Sequence, residues 1–234
     1  MNFFLNIISR KIINSSLEDN IFTKAILDFK KDDKFRFALN TANQTIGIDP
    51  KIPFRLHQLM FCIESTQNIS GNIVELGTGK GYLFAGALAA LHNSIHKANK
   101  EVYLFDLFSY PDQKLSGIKK YIYAKNLDEV KKTFAKYKFV KIIQGILPDS
   151  LDAHLVSMRE SGICFLHVDL NHYEPEILSL KKIYEFVSVH GIILLDDYAN
   201  PGRRRQYEEF NNFFREKNQT ILTLASGQGL VIKK

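Results

Sequence analysis

Cysteine is scarce in this chain: two residues in 234, Cys62 and Cys164, far apart and in apolar surroundings. Two such residues make neither a disulfide framework nor a zinc knuckle, and a reducing cytoplasm is the expected location. Long hydrophobic runs are also missing, since no apolar stretch reaches the ~18 residues of a membrane span. The opening MNFFLNIISRKIIN lacks a basic start and a small-residue cleavage site, so no secretion signal is expected. There is no internal repeat, no low-complexity segment and no charged tail. The net charge of +6 and the pI near 9.1 come from dispersed residues. Such a balance suits an anionic substrate but does not by itself argue for nucleic acid. What is present is material for a core: 45% of residues are hydrophobic and 24% charged, which excludes a disordered chain.

From residue 72 onward, short β-branched runs alternate with longer helical stretches. Strands are expected at Ile73–Leu76, Glu101–Phe105, Phe139–Ile143, Ile163–Val168 and Gly191–Leu195. Between and after them, helices are expected at Tyr82–His96, Leu127–Tyr137, Ser150–Glu160, Glu174–Val189 and Arg203–Lys217. Strands without polar alternation are buried on both faces, as in a parallel sheet covered by helices. Repeated strand–helix units of this kind give a Rossmann-like, doubly wound α/β sheet. The end breaks the rhythm: Gln219–Leu224 and Leu230–Lys233 are joined by five residues, which forces an antiparallel hairpin. A mostly parallel sheet closing on such a hairpin resembles that of the class I methyltransferases. Before residue 71 no strand pattern is seen. Helices are expected over Asn2–Ile13, Ile21–Lys30 and Phe54–Asn68, with a turn at Gly47–Pro50. The expected organisation is an N-terminal helical cap or lid over 1–70 and a catalytic domain over 71–234.

Val74-Glu75-Leu76-Gly77-Thr78-Gly79-Lys80-Gly81 ends the first sheet strand and opens a helix. Glycines there let the backbone turn tightly and approach a ligand, and the helix N-terminus offers free N–H groups. A Walker A loop is excluded, because Val74 stands where its first glycine belongs and Gly81 follows Lys80. The dinucleotide fingerprint fits poorly and stays open, Tyr82 replacing its last glycine. An acid followed by G-x-G-x-G resembles the first motif of S-adenosylmethionine-dependent methyltransferases. On that reading Glu75, Gly77, Thr78, Gly79 and Gly81 bind the cofactor. Asp106, ending the next strand, accepts from ribose hydroxyls, and Gly145, past the third, lies near the adenine.

Two further strands end in acid, at Asp169 and at Asp196-Asp197. Ligands of a doubly wound sheet bind outside the carboxyl ends of its strands, where strand order reverses, so the three carboxylates are expected to converge there. Like charges brought together raise one another's pKa, and a cation relieves the cost. Oxygen-only donors select Mg²⁺ or another hard divalent cation, which would lower the pKa of an acceptor hydroxyl and hold it in line.

The run Phe165–Pro175 (FLHVDLNHYEP) and the run His190–Tyr198 (HGIILLDDY) resemble the macrocin O-methyltransferase (TylF/MycF-type) family. Phe105-Asp106, Gln144-Gly145, Leu147–Leu151 and Ser226–Leu230 fit as well, so the resemblance spans about residues 71 to 234. It implies a Mg²⁺-dependent transferase that methylates a hydroxyl of a sugar or glycosylated small molecule, with Asp169, Asp196 and Asp197 at the metal positions. Asn171 stands where many relatives carry a second acid, and Ser109-Tyr110-Pro111 replaces a Glu-Gly. Asp169 and His172 are the candidate catalytic residues. An imidazole three residues past Asp169 suits a general base, although a histidine capping the next helix fits equally. His92 and His96 have no Glu beside them and are not read as zinc ligands. Arg203–Arg205 is read as a solvated charge run. An RNA methyltransferase, a cofactor-binding partner without catalysis and a hydroxylase on the same scaffold are the rival readings. Neither nucleic acid nor a membrane is an expected partner, and a homo-oligomer stays open.

Overall fold

The computed structural model describes residues 16–19, 21–23, 25–110, 117 and 119–234. The helix expected at Asn2–Ile13 lies outside them.

The N-terminal region departs from the expected run of helices. Ser16–Glu18 (β1) and Ile21–Thr23 (β2) form a small antiparallel hairpin, followed by a single 3₁₀ turn at Asp28–Lys31, where a helix over Ile21–Lys30 was expected. Ile21-Phe22-Thr23 is β-branched and aromatic, and a turn through Asp19 at φ 51° brings it back on Ser16–Glu18. A helix absent from the sequence reading follows at Asp33–Ile46 (α1). The Asp32 side chain caps it by accepting from the Phe35 N–H at 2.8 Å, and Gly47 ends it in the left-handed conformation. The next helix, Pro53–Ser65 (α2), matches the expected one to within a few residues.

The main sheet then begins. Its strands in chain order are Asn72–Leu76 (β3), Val102–Asp106 (β4), Val140–Gln144 (β5), Ile163–Val168 (β6), Val187–Leu195 (β7), Leu222–Thr223 (β8) and Gly229–Ile232 (β9). The helices between and around them are Tyr82–Lys97 (α3), Leu127–Phe134 (α4), Leu155–Ser161 (α5), Tyr173–Ile183 (α6) and Arg204–Glu216 (α7). The sheet order is β5-β4-β3-β6-β7-β9-β8, parallel through β7 and antiparallel at β9 and β8. This is the doubly wound, mostly parallel sheet with a terminal antiparallel hairpin, and helices precede it. Two expected helices are shorter than their patterns suggest. Asp149–His154 is a 3₁₀ segment before α5, and α6 stops at Ile183, because β-branched Val187 and Val189 join β7.

Adjacent strand residues feed two cores. Ile73, Leu104, Phe165 and Leu194 pack with α1–α4, whereas Val74, Phe105, Leu166 and Leu195 pack with α5–α7. Both faces are apolar, which accounts for the lack of polar alternation. α1 and α2 belong to the first of these cores: Ala38, Ala42 and Leu56 close on Gly86 of α3, where an added Cβ would lie 2.8 Å from the Ala38 carbonyl oxygen. Among the described residues, no helix is long and apolar enough to cross a membrane.

Candidate active site

The chain runs outward from β3 to β4 and β5, then returns to place β6 on the other side of β3. That reversal opens a crevice at the carboxyl ends of β3 and β6. A cavity of about 240 Å³ lies there. One wall is the glycine loop after β3 with the end of β4, and the other carries the acids after β6 and β7.

The glycine-loop wall is built from bonds donated by main-chain N–H groups. Gly77 N–H donates to the Phe105 carbonyl at 2.8 Å, and Gly79 N–H donates to Asp106 Oδ2 at 2.8 Å. Asp106 Oδ1 accepts from Phe108 N–H at 2.9 Å. Gly77 has φ 97°, and a Cβ there would stand 1.9 Å from the Asp169 carbonyl oxygen. Glycine is therefore required where the loop crosses the chain leaving β6, and that crossing brings the two walls together. Gly79, at φ 55°, faces the Ile122 carbonyl in the same way, with 2.5 Å to an added Cβ.

Beneath the loop, Glu75 on β3 is paired in register with His167 on β6. Both are buried, and His167 Nδ1 lies 3.0 Å from Glu75 Oε1. His167 Nε2 is 3.6 Å from Asp196 Oδ1, an electrostatic contact rather than a hydrogen bond. Burial alone would depress the imidazole pKa. Its two acidic neighbours, Asp196 and Glu75, outweigh this and raise it to about 10, so His167 is an imidazolium between two carboxylates. Glu75 Oε2 and Thr78 Oγ1 are buried in the cavity wall without a hydrogen-bond partner among the described residues. Buried polar atoms are ordinarily satisfied, so this pair and the open glycine backbone fit a ligand rich in N–H and O–H groups.

The acid wall is built from side chains far apart in sequence. Asp169, Asp196 and Asp197 all line the cavity. The Arg55 side chain reaches in from α2: its Nη1 pairs with Asp196 Oδ2 and lies 3.6 Å from Asp197 Oδ1. Gln228 Nε2 donates to Asp196 Oδ1 at 2.7 Å. Arg203 Nε is 2.9 Å from Asp197 Oδ2, and its Nη2 donates to Asn171 Oδ1 at 2.7 Å. Asn171 Nδ2 in turn donates to Asp169 Oδ1 at 2.9 Å. Despite the cost of burial, Arg55, His167 and Gln228 hold the Asp196 carboxyl down to about 2. Asp169 goes the other way: burial, then the charge of Asp196, pushes its carboxyl well above the usual range against the pull of His167.

The expected residues are thus divided. Glu75, Gly77, Thr78, Gly79, Asp106, Asp169, Asp196 and Asp197 line one cavity, whereas Gly81 and Gly145 do not. Gly81 caps α3 over the Phe134 ring, and Gly145 packs on Ser150. His172 is exposed, with its ring stacked on Tyr173 at 5.2 Å, and borders a separate depression beside Arg203–Arg205. It is the N-cap residue of α6 and does not face the cavity. The arginine run is solvated only in part: Arg203 joins the site, whereas Arg204, paired with Glu208, and Arg205, over the Tyr173 ring, are exposed. Arg55, His167 and Gln228 were missed. A signal existed for Arg55, a positive charge in the first turn of an apolar helix, where it opposes the helix dipole.

A Mg²⁺ ion does not fit the acids as they stand. Each of the three has at least one oxygen taken by an N–H donor of the chain. Among the described residues, no group of three or more His, Cys, Asp or Glu side chains is arranged to hold a metal.

Comparison with known proteins agrees with this architecture. The family model for macrocin-O-methyltransferase (TylF) matches residues 44–223. Among solved structures, the O-methyltransferase NovP superposes with a TM-score of 0.65 at 18% identity, covering 86% of this chain and 100% of that one. CalS11, described as a TDP-rhamnose 3'-O-methyltransferase in calicheamicin biosynthesis, superposes at 0.61 with 15% identity, covering 76% and 78%. The Podospora anserina methyltransferase PaMTH1, bound to SAH, superposes at 0.56 with 15% identity, covering 100% and 96%. No curated protein sequence matches. The structural likenesses speak for the fold, and the family model covers well over half of the residues. The chain belongs to the macrocin-O-methyltransferase (TylF) family and is an S-adenosylmethionine-dependent class I O-methyltransferase.

Proposed function

We propose that the enzyme methylates a hydroxyl of a sugar or glycosylated small molecule, with the methyl donor on the glycine-loop wall and the acceptor on the acid wall. The observation that carries this reading is the contact of the two walls at Gly77 and Asp169. It sets a carboxylate of raised pKa beside the loop that would hold the donor. When bound, S-adenosylmethionine supplies an electrophilic methyl carbon on a sulfonium. Glu75 and Asp106 hold the donor through its N–H and O–H groups, with the Gly77–Gly79 backbone passing beside it. Asp169 would take the proton that the acceptor hydroxyl gives up as its oxygen is methylated. A carboxylate whose pKa is raised is a stronger base in that role. Asn171 fixes one oxygen of Asp169, and the other has no hydrogen bond among the described residues.

The catalytic unit on this reading is the region over 71–234, with residues 1–70 as a cap that delivers Arg55. Mg²⁺, implied by the resemblance, takes no step here, because Asp196 and Asp197 are paired with Arg55, Gln228 and Arg203. The arginine run adds little to the RNA reading, since Arg203 is engaged with Asp197 and only Arg204 and Arg205 are exposed. Cys62 and Cys164 are both free and buried, in keeping with the cytoplasm as the place of action.

The test is incubation of the purified enzyme with S-adenosylmethionine and a panel of nucleotide sugars and glycosides, read by mass spectrometry. A mass gain of one methylene unit on a sugar hydroxyl is expected. Methylation of RNA alone, or of no sugar while the donor binds, would refute the proposal.

A further inference from the structure

A cluster of three carboxylates needs positive charge, and the structure supplies it from the protein itself. Arg55 lies on α2 with its side chain largely buried, at 16% exposure. Besides its ion pair with Asp196, its Nη1 donates to the Asp196 carbonyl at 3.1 Å, and its Nη2 approaches the Ser226 carbonyl at 3.5 Å. Behind it, Asp19 of the β1–β2 turn holds the arginine in place. Asp19 Oδ2 accepts from the Phe54 N–H at 2.7 Å, and its Oδ1 lies 3.4 Å from Arg55 Nε. The guanidinium is therefore held on both sides and aimed at the carboxylates by its own helix. A planar fork of this kind matches carboxylate geometry and stays charged at any working pH.

We infer that Arg55 is the resident cation of the Asp169–Asp196–Asp197 cluster, standing where the resemblance puts a divalent metal, so that the wild-type site binds no such ion. Two observations carry this. An N–H directed at a carboxylate oxygen occupies one of its lone pairs, and the guanidinium charge beside it repels a divalent cation. On Asp196 and Asp197 the oxygens not facing Arg55 are also taken, Asp196 Oδ1 by Gln228 and Asp197 Oδ2 by Arg203, and Asn171 holds one of the two oxygens of Asp169. In the reaction Arg55 is a positioning residue: it neutralises and fixes Asp196 and Asp197, and so sets the field in which Asp169 meets the acceptor. This consequence rests on the methyltransferase reading of the cavity, whereas the cation assignment does not.

The test uses Mn²⁺ alone as the probe, read by electron paramagnetic resonance with the full chain and with neither donor nor acceptor present. Wild type is expected to show no stoichiometric Mn²⁺ binding up to about 1 mM. Arg55→Ala is expected to bind one Mn²⁺ at least ~10-fold more tightly than wild type. The double variant Arg55→Ala/Asp196→Asn should lose that binding. Should Arg55→Ala fail to fold by circular dichroism, Arg55→Met keeps the aliphatic stem and serves the same measurement. Wild-type binding of one Mn²⁺ at micromolar concentration, abolished by Asp196→Asn, would overturn the inference. So would failure of both Arg55 variants to gain a site while folded. Because no methyl transfer is measured, this outcome is independent of the acceptor panel.

Discussion

The wall of the cavity formed by β3 and β4 is fastened by N–H groups of the glycine loop that bond the end of the adjacent strand, Gly77 to Phe105 and Gly79 to Asp106. The wall formed by β6 and β7 is fastened by side chains that arrive from α2, from the segment before α7 and from the loop before β9. Arg55 and Asp196 are 141 positions apart. The first wall joins adjacent strands and forms with the sheet, whereas the second is complete only when segments outside the parallel strands have docked. Damage to the first should therefore register in folding and donor affinity, and damage to the second in turnover.

The largest effect is expected where the walls touch. Gly77→Ala drives a Cβ into the Asp169 carbonyl and should cost about 3 kcal/mol or more of stability, seen as a much lower melting temperature. An unchanged melt would show that the crossing is not rigid. Next comes Asp169→Asn, for which kcat should fall by roughly 10²–10⁴. Calorimetric affinity for S-adenosylmethionine should stay within a few-fold, and a parallel loss of donor binding would contradict the division of labour.

A third prediction concerns pH. Burial pushes Glu176 up to about 8, and its Oε1 accepts from the Leu170 N–H at 2.9 Å while Oε2 is buried without a partner. The folded state thus holds a proton that the unfolded chain releases near its ordinary value of 4.5. Stability contributed by this group is full below that value and is lost as pH rises toward 8, by a few kcal/mol in all. Glu176→Gln should flatten that slope in denaturation curves taken across the interval. A slope identical to wild type would place the proton elsewhere.

Asp106→Ala removes the acceptor for two main-chain N–H groups and should cost about 1–3 kcal/mol. Donor affinity should fall with it, while turnover at saturating donor is largely kept. The smallest effect belongs to His172→Ala. An exposed side chain outside the cavity should change kcat by no more than about twofold. A hundredfold loss would return it to the mechanism.

The same contrast explains what could be read from the residues alone. Ile73–Leu76 with its glycines, Ile163–Val168 ending in Asp169, and Gly191–Leu195 ending in two acids carry local patterns that survive folding unchanged. α1 escaped notice because its buried stripe of Phe35, Ala38, Ala42 and Ile46 relies on two alanines whose value lies in the close approach of α3. His167 sits inside an apolar strand and gains its role only from Glu75 next door and Asp196 beyond. Gln228 and Arg55 are ordinary residues until the docked hairpin and helix bring them to Asp196. Nothing in their neighbours along the chain announces it.

The loop before β9 has a consequence for the order in which the site is assembled. Gln228 binds Asp196, and Ser226 Oγ donates to Gln58 Oε1 of α2 at 2.7 Å. The acid wall is therefore tied to an early helix and to the loop made after every other element of the sheet but β9. A chain synthesised only as far as β8 contains every residue of the glycine loop and lacks Ser226 and Gln228. On the proposed reading, the donor wall is thus complete in a shorter length of chain than the acceptor wall, which waits for Ser226 and Gln228.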